Sequence, residues 1–195
     1  MNKEFNIDKT KTAIVVIDLQ KGIASRETQP YSAKEVIENK VKLLKVFRKN
    51  NMPIFLVRVS SSPDSKDRLN LITDISWPAG TGQMPADWSE IVPELSPEAS
   101  DFIITKKQWG AFYGTDLDLQ LRRRKIDTIV LCGISTNMGV ESTARFAYEY
   151  NYNQIFAEDA MSSMAKEDHE FAITKIFPRM GLVRKTREIL DNIDK

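Results

Sequence analysis

The run Thr12-Ala13-Ile14-Val15-Val16-Ile17-Asp18 constrains this chain more than any other feature. It is apolar and largely β-branched at consecutive rather than alternating positions. A strand formed there is buried on both faces, as the central strand of a parallel sheet is. It ends on a carboxylate, Asp18. The run Ile54-Phe55-Leu56-Val57-Arg58-Val59 is built in the same way. Between the two, Ser32-Ala33-Lys34-Glu35 has the spacing of a capping box ahead of Val36, Val41, Leu43, Leu44 and Phe47, which predicts a helix over 33–50. Strand, helix and strand in that order imply a right-handed βαβ unit.

The alternation continues. Residues 102–105, 128–132 and 154–157 read as further strands, and 182–184 as an edge strand. Helices are predicted over about 115–124, 139–150 and 166–177, the last stopped by Pro178, with a short helix at the C-terminal end. The fold class is therefore α/β, with a mostly parallel sheet and helices on both faces. A chain of 195 residues suits one domain over 1–195. Residues 60–100 stand apart: they carry five prolines and two glycines and have no sustained period. Long segments of this kind serve as lids or partner-binding loops. Trp77, Met84, Pro85 and Trp88 are expected to cover the pocket or a neighbouring subunit.

Charge and residue inventory narrow the function. The formal net charge is +1 with both signs interleaved, which gives no footprint for nucleic acid or a membrane. Small molecules, or copies of the chain itself, are the expected partners. No apolar run is long enough to span a bilayer and the start of the chain lacks a signal peptide's apolar segment, so a cytoplasmic protein is expected. One cysteine, Cys132, excludes an internal disulfide, and one histidine, His169, leaves too few soft ligands for a built-in metal, so no cofactor is expected. His169, near the start of a predicted helix, reads as a surface residue.

In such sheets ligands bind beyond the carboxyl ends of the strands. Three features recur there: Asp18, Lys106 or Lys107, and the turn at 133–139 that leads into a helix. A carboxylate and an ammonium in one apolar pocket shift each other's proton affinity, and a helix start favours negative charge on the ligand. Together they suit acid–base chemistry on an anionic or carbonyl-bearing substrate.

Four blocks make the pattern specific. They are Ile14-Val15-Val16-Ile17-Asp18-Leu19-Gln20, Thr105-Lys106-Lys107-Gln108-Trp109-Gly110-Ala111-Phe112-Tyr113-Gly114-Thr115-Asp116-Leu117, Gly133-Ile134-Ser135-Thr136-Asn137-Met138-Gly139-Val140-Glu141-Ser142-Thr143-Ala144 and Glu158-Asp159-Ala160. In order and spacing the chain resembles the isochorismatase-like hydrolase superfamily, which includes nicotinamidases, N-carbamoyl amidases and isochorismatases. The resemblance implies a three-layer α/β/α domain around a six-stranded sheet, assembled into dimers, tetramers or other homo-oligomers. It puts Asp18 at the catalytic aspartate, Lys106 rather than Lys107 at the catalytic lysine, and a non-proline cis bond at Ile134–Ser135. It puts Gln20, Trp109, Phe112, Ile134, Ser135 and Met138 at substrate-binding positions.

The amidase branches carry their nucleophilic cysteine where this chain has Gly139. Glycine forms no covalent intermediate, and Cys132, inside a strand, reads as a buried inert thiol. Isochorismatases of the siderophore and phenazine pathways resemble this chain in having glycine there. Their reaction, acid-catalysed hydrolysis of an enolpyruvyl ether, needs no nucleophilic side chain. By that resemblance Asp18 is the acid, Lys106 orients and charge-balances it, and Gly139 leaves room for substrate or water. Ser135-Thr136-Asn137 departs from those enzymes and is closer to the cysteine branch. Two alternatives stay open: amidase-like hydrolysis by water that Asp18 activates, and a binding or assembly protein without turnover. Nicotinamidases build a metal site after the second strand, but Ser60-Ser61-Ser62-Pro63-Asp64 holds no histidine.

Overall fold

A computed structural model describes residues 5–75 and 85–194. In chain order the strands and α-helices are β1 (Thr12–Ile17), α1 (Lys21–Ala24), α2 (Ala33–Lys49), β2 (Ile54–Val59), β3 (Phe102–Lys106), α3 (Leu117–Arg123), β4 (Thr128–Ile134), α4 (Glu141–Glu149), β5 (Asn153–Ser162), α5 (Lys166–Phe171), β6 (Leu182–Arg184) and α6 (Thr186–Ile193). The strands form one sheet in the order β3-β2-β1-β4-β5-β6, and every pair is parallel. Strand order reverses between β1 and β4, so the carboxyl ends of these two strands flank the crevice where such sheets bind ligands.

β1 occupies the centre because its sequence suits nothing else. All six of its residues are buried, with even positions on one face and odd positions on the other. Ile14 and Val16 pack with Val36, Leu43 and Phe47 of α2, Cys132 of β4 and Ile189 of α6. Ala13, Val15 and Ile17 pack with Leu117 and Leu121 of α3, Ala144 of α4 and Phe177. Each fully buried Val, Leu, Ile or Phe contributes about 1.5–3 kcal/mol, so the two faces fix β1 strongly. The result is three layers, helix, sheet and helix. The capping box forms as its spacing predicts: Ser32 Oγ accepts from Glu35 N–H, and the Glu35 carboxylate accepts from Ser32 N–H.

Three expectations are corrected. β5 does not stop at residue 157 but runs ten residues to Ser162, because Glu158 is buried with hydrogen-bond partners and so remains inside a strand. The helix expected from Gly139 is preceded by a π-helical turn, Thr136–Val140, whose longer repeat delivers the chain into α4. The helix expected over 166–177 is α5 followed by a π turn, Ala172–Ile176, and a 3₁₀ turn, Phe177–Arg179. Pro178 lies in the first turn of that last piece, where its missing N–H costs nothing.

Of the 60–100 excursion, Trp77 and Met84 lie outside the described residues. Pro85 is exposed. Trp88 lies on α1, so close that a Cβ added to Gly22 would sit 2.0 Å from the indole ring. Arg48 of α2 pins the return of the excursion, donating to the Asp101 carboxylate at 2.6 Å and to the Leu95 and Ser96 carbonyls. Among the described residues no helix is long and apolar enough to cross a membrane.

Candidate active site

The site begins where β1 ends. Asp18 takes up a left-handed backbone conformation, φ 52°, that non-glycine residues rarely adopt, and its N–H donates to the Val57 carbonyl at 2.9 Å. The turn lifts its carboxylate off the strand direction and toward Lys106, two strands away at the end of β3. Lys106 Nζ donates to Asp18 Oδ2 at 2.7 Å and to the Gln108 carbonyl at 3.0 Å. Both side chains are almost wholly buried. Burial pushes the Asp18 carboxyl up to about 6, against the pull of the Lys106 ammonium toward the ionised form. Asp18 Oδ1 is buried and has no hydrogen-bond partner among the described residues. Because Lys106 occupies Oδ2, a proton on Asp18 belongs on Oδ1. Lys107 points elsewhere and pairs with Asp67 at 2.7 Å.

The turn after β4 closes the other wall. Gly133 has φ 146°, and an added Cβ would lie 2.3 Å from the Ile17 carbonyl oxygen, so only glycine lets β4 approach β1 this closely. The Ile134–Ser135 peptide bond is cis. Ser135 Oγ and Ser163 Oγ both donate to Asn137 Oδ1, at 2.8 and 3.1 Å. Thr143 Oγ1 donates to the Gly139 carbonyl at 2.6 Å and accepts from Ala111 N–H at 3.1 Å, which ties the turn to the segment after β3. A Cβ on Gly139 would lie 2.9 Å from Ile17 Cγ2 and 3.0 Å from Asp18 Oδ2. In the direction a side chain at Gly139 would take, the end of β1 closes onto the turn and brings Asp18 against it.

The expected substrate-binding residues divide. Ile134 and Ser135 are buried and Met138 is half-buried, all in the turn beside Asp18. Trp109 is 52% exposed, and its carbonyl rather than its ring approaches Gly139. Phe112 is corrected. It lies in the core, edge-on to Tyr150 at 5.4 Å and stacked on Tyr152 at 5.8 Å, because its ring finds an aromatic cluster under the sheet. Gln20 is corrected as well. Its Nε2 donates to the Val59 and Trp88 carbonyls and its Oε1 accepts from Val59 N–H, so a buried amide is already used in joining β2 to the excursion.

Sequence reasoning missed two buried residues. His169, expected on the surface, is fully buried, because the first turn of α5 packs on the turn after β4. His169 Nδ1 lies 2.9 Å from Thr136 Oγ1, and Nε2 lies 3.7 Å from Glu158 Oε1. Glu158 Oε1 also accepts from the Tyr31 hydroxyl at 2.8 Å, and Glu158 Oε2 pairs with Lys185. Burial works to raise the Glu158 carboxyl, but His169, Lys185 and Tyr31 together hold it down to about 2. Lys40, on α2, is the second. It is fully buried, and its Nζ has no partner among the described residues. Burial lowers its ammonium to about 8, while Cys132 and Asp18 act in the opposite sense. A signal existed, since position 40 falls four after Val36 and four before Leu44, on the apolar face of the helix.

Cys132 is buried with Sγ 3.9 Å from the Val15 carbonyl, and burial pushes its thiol up to about 11, which makes it inert as a nucleophile. Among the described residues no three His, Cys, Asp or Glu side chains are grouped to hold a metal ion. An open surface cleft of about 970 Å³ lies at the amino ends of β4, β5 and β6, lined by Thr128, Asn153 and Leu182, at the opposite edge of the sheet from Asp18.

The chain has similar sequences and a similar fold among known proteins. The family model for the isochorismatase domain matches residues 12–188. The isochorismatase family protein YwoC of Bacillus subtilis (strain 168) is 52% identical over 193 residues, 99% of this chain and 100% of that protein. A probable isochorismatase of Pseudomonas chlororaphis is 27% identical over 187 residues, 96% of this chain and 88% of that protein. Among solved structures, an isochorismatase family protein from Burkholderia thailandensis superposes with a TM-score of 0.92 at 40% identity, covering 98% of this chain and 100% of that one.

Proposed function

The chain belongs to the isochorismatase family of hydrolases, and from that premise we propose that it hydrolyses the enolpyruvyl ether of a small carboxylate-bearing metabolite without a covalent intermediate. One observation carries the reading. Asp18 is a buried carboxyl that holds its proton up to about 6, with Oδ2 taken by Lys106 and Oδ1 unpartnered among the described residues, beside Gly139, which the family resemblance puts at the nucleophile position.

The steps balance on this chain's own residues. Asp18 Oδ1 gives its proton to the terminal vinyl carbon, and the C–H bond forms as the ether carbon becomes an oxocarbenium ion. Lys106, fixed at 2.7 Å, stabilises the carboxylate left behind. Water adds to the oxocarbenium carbon and returns one proton to Asp18. The hemiketal then collapses, the C–O bond to the alcohol breaks, and pyruvate and the alcohol leave. The resemblance to a probable isochorismatase supports the same reaction class. The test is pyruvate release from isochorismate by the parent and by Asp18→Asn. Release from the parent that falls at least a hundredfold in Asp18→Asn is expected. Ammonia release from amides, with no pyruvate from isochorismate, selects the amidase alternative and sinks this one.

The reading includes a cytoplasmic homo-oligomer, dimer or tetramer. The exposed side chains of Leu69, Leu71, Ile72 and Ile75 offer an apolar stretch that a second copy would cover. Sedimentation of the purified chain as a monomer would overturn that part alone.

A further inference from the structure

Buried charges are paired, and buried polar atoms have partners. The region beside Asp18 breaks both rules at once. Lys40 Nζ and Asp18 Oδ1 are each buried and unpartnered among the described residues. Lys40 lies on the buried face of α2, between Val36 and Leu44, the face that packs with Ile14 and Val16 of β1 and Cys132 of β4. Its neighbour Asn39 donates from Nδ2 to the Asp159 carbonyl at 2.8 Å, which fixes this turn of α2 beside the far half of β5, close to the carboxyl ends of the strands. Helical side chains lean toward the helix N-terminus, here the end that carries the Ser32 cap.

The charges facing Lys40 do not balance. From β1 comes Asp18 and from β3 comes Lys106, already bonded to each other. From β4 comes the Cys132 thiol, held neutral by burial. Glu158 is committed to Lys185, His169 and Tyr31. With Asp18 ionised the pocket holds one positive charge too many, and with Asp18 protonated it holds two. An apolar residue at position 40 would complete the packed face of α2, so an ammonium there lowers stability unless something offsets it.

We infer that Lys40 is a specificity-determining residue of the Asp18–Lys106 pocket, selecting a ligand that brings one negative charge, a carboxylate, to the side of the pocket facing α2. The inference rests on the reading that this pocket is where the ligand binds. It separates the two lysines of the site by role: Lys106 holds the acid, and Lys40 receives the ligand's anion. An enolpyruvyl group carries its carboxylate on the carbon next to the one that is protonated, which matches a donor beside Asp18 rather than on it.

The test compares pyruvate with its neutral amide, pyruvamide, as ligands for the full chain, by calorimetry and by the shift of the thermal unfolding midpoint. The parent is expected to bind pyruvate at least tenfold more tightly than pyruvamide. In Lys40→Met the preference is expected to fall to within about threefold, while the unfolding midpoint without ligand is no lower than the parent's. Lys40→Arg, which keeps the charge, is expected to keep the preference. If Lys40→Met does not fold, Lys40→Gln carries the same comparison. A parent with no preference, or a Lys40→Met variant that keeps the parent's, overturns the inference. Neither measurement needs turnover. A Lys40-dependent preference in a parent that releases no pyruvate from isochorismate sinks the proposed reaction alone, and normal release without the preference sinks this inference alone.

Discussion

Replacing Gly139 by alanine probes how tightly the acid is held against the turn. The new Cβ would sit 2.9 Å from Ile17 Cγ2 and 3.0 Å from Asp18 Oδ2. Carbon contacts are comfortable near 3.5–4.0 Å, so half an ångström or more must be found. Ile17 is locked in the core, and Asp18 is tethered by Lys106 at 2.7 Å and by its own N–H to Val57. Overpacking of this kind costs about 1–3 kcal/mol. Alanine in a helical turn, by contrast, gains about 1 kcal/mol over glycine where nothing obstructs it. The two effects have opposite signs, and the contacts decide for the first: a net loss of up to about 2 kcal/mol is expected. Displacing Asp18 by a fraction of an ångström is also expected to cost about tenfold or more in pyruvate release. Urea unfolding of parent and Gly139→Ala, with the release assay alongside, measures both. A variant more stable than the parent and equally active would refute the close approach of Asp18 to Gly139 and the role built on it.

Two further outcomes follow from the same geometry. If the acid form of Asp18 carries the reaction, kcat/KM falls about tenfold per pH unit above about 6, because burial holds the proton only to that point. A rate that climbs through pH 6 to 8 instead makes Asp18 a base and favours the amidase alternative. Glu158 has its carboxyl held down to about 2 from an ordinary 4.5, so it contributes stability above pH 4.5 that is lost as pH falls toward 2. Glu158→Gln is therefore expected to unfold earlier than the parent at pH 7, with the gap closing below pH 4.5. A gap that is constant down to pH 2.5 would show that packing, not charge, is what Glu158 supplies.

The sequence by itself determined the sheet, its helices and the residues at its strand ends. A run such as Val15-Val16-Ile17 can be buried only between two layers, and the Ser32–Glu35 spacing caps a helix wherever it occurs, so local chemistry and the tertiary outcome agree. A pairing of Asp18 with Lys106 or Lys107 was legible because these residues lie where parallel strands end, and order along the chain becomes proximity there; the choice of Lys106 came from the family resemblance. What the sequence left open depends on partners far away in the chain. Gln20 and Phe112 look like pocket residues until Val59, Trp88 and Tyr152 occupy them. His169 looks exposed until the turn after β4 arrives with Thr136 and β5 with Glu158. Tertiary structure alone decided that Asp18 closes onto Gly139 and that Lys40 is buried without a partner among the described residues, since burial of a charge is a property of everything packed around it.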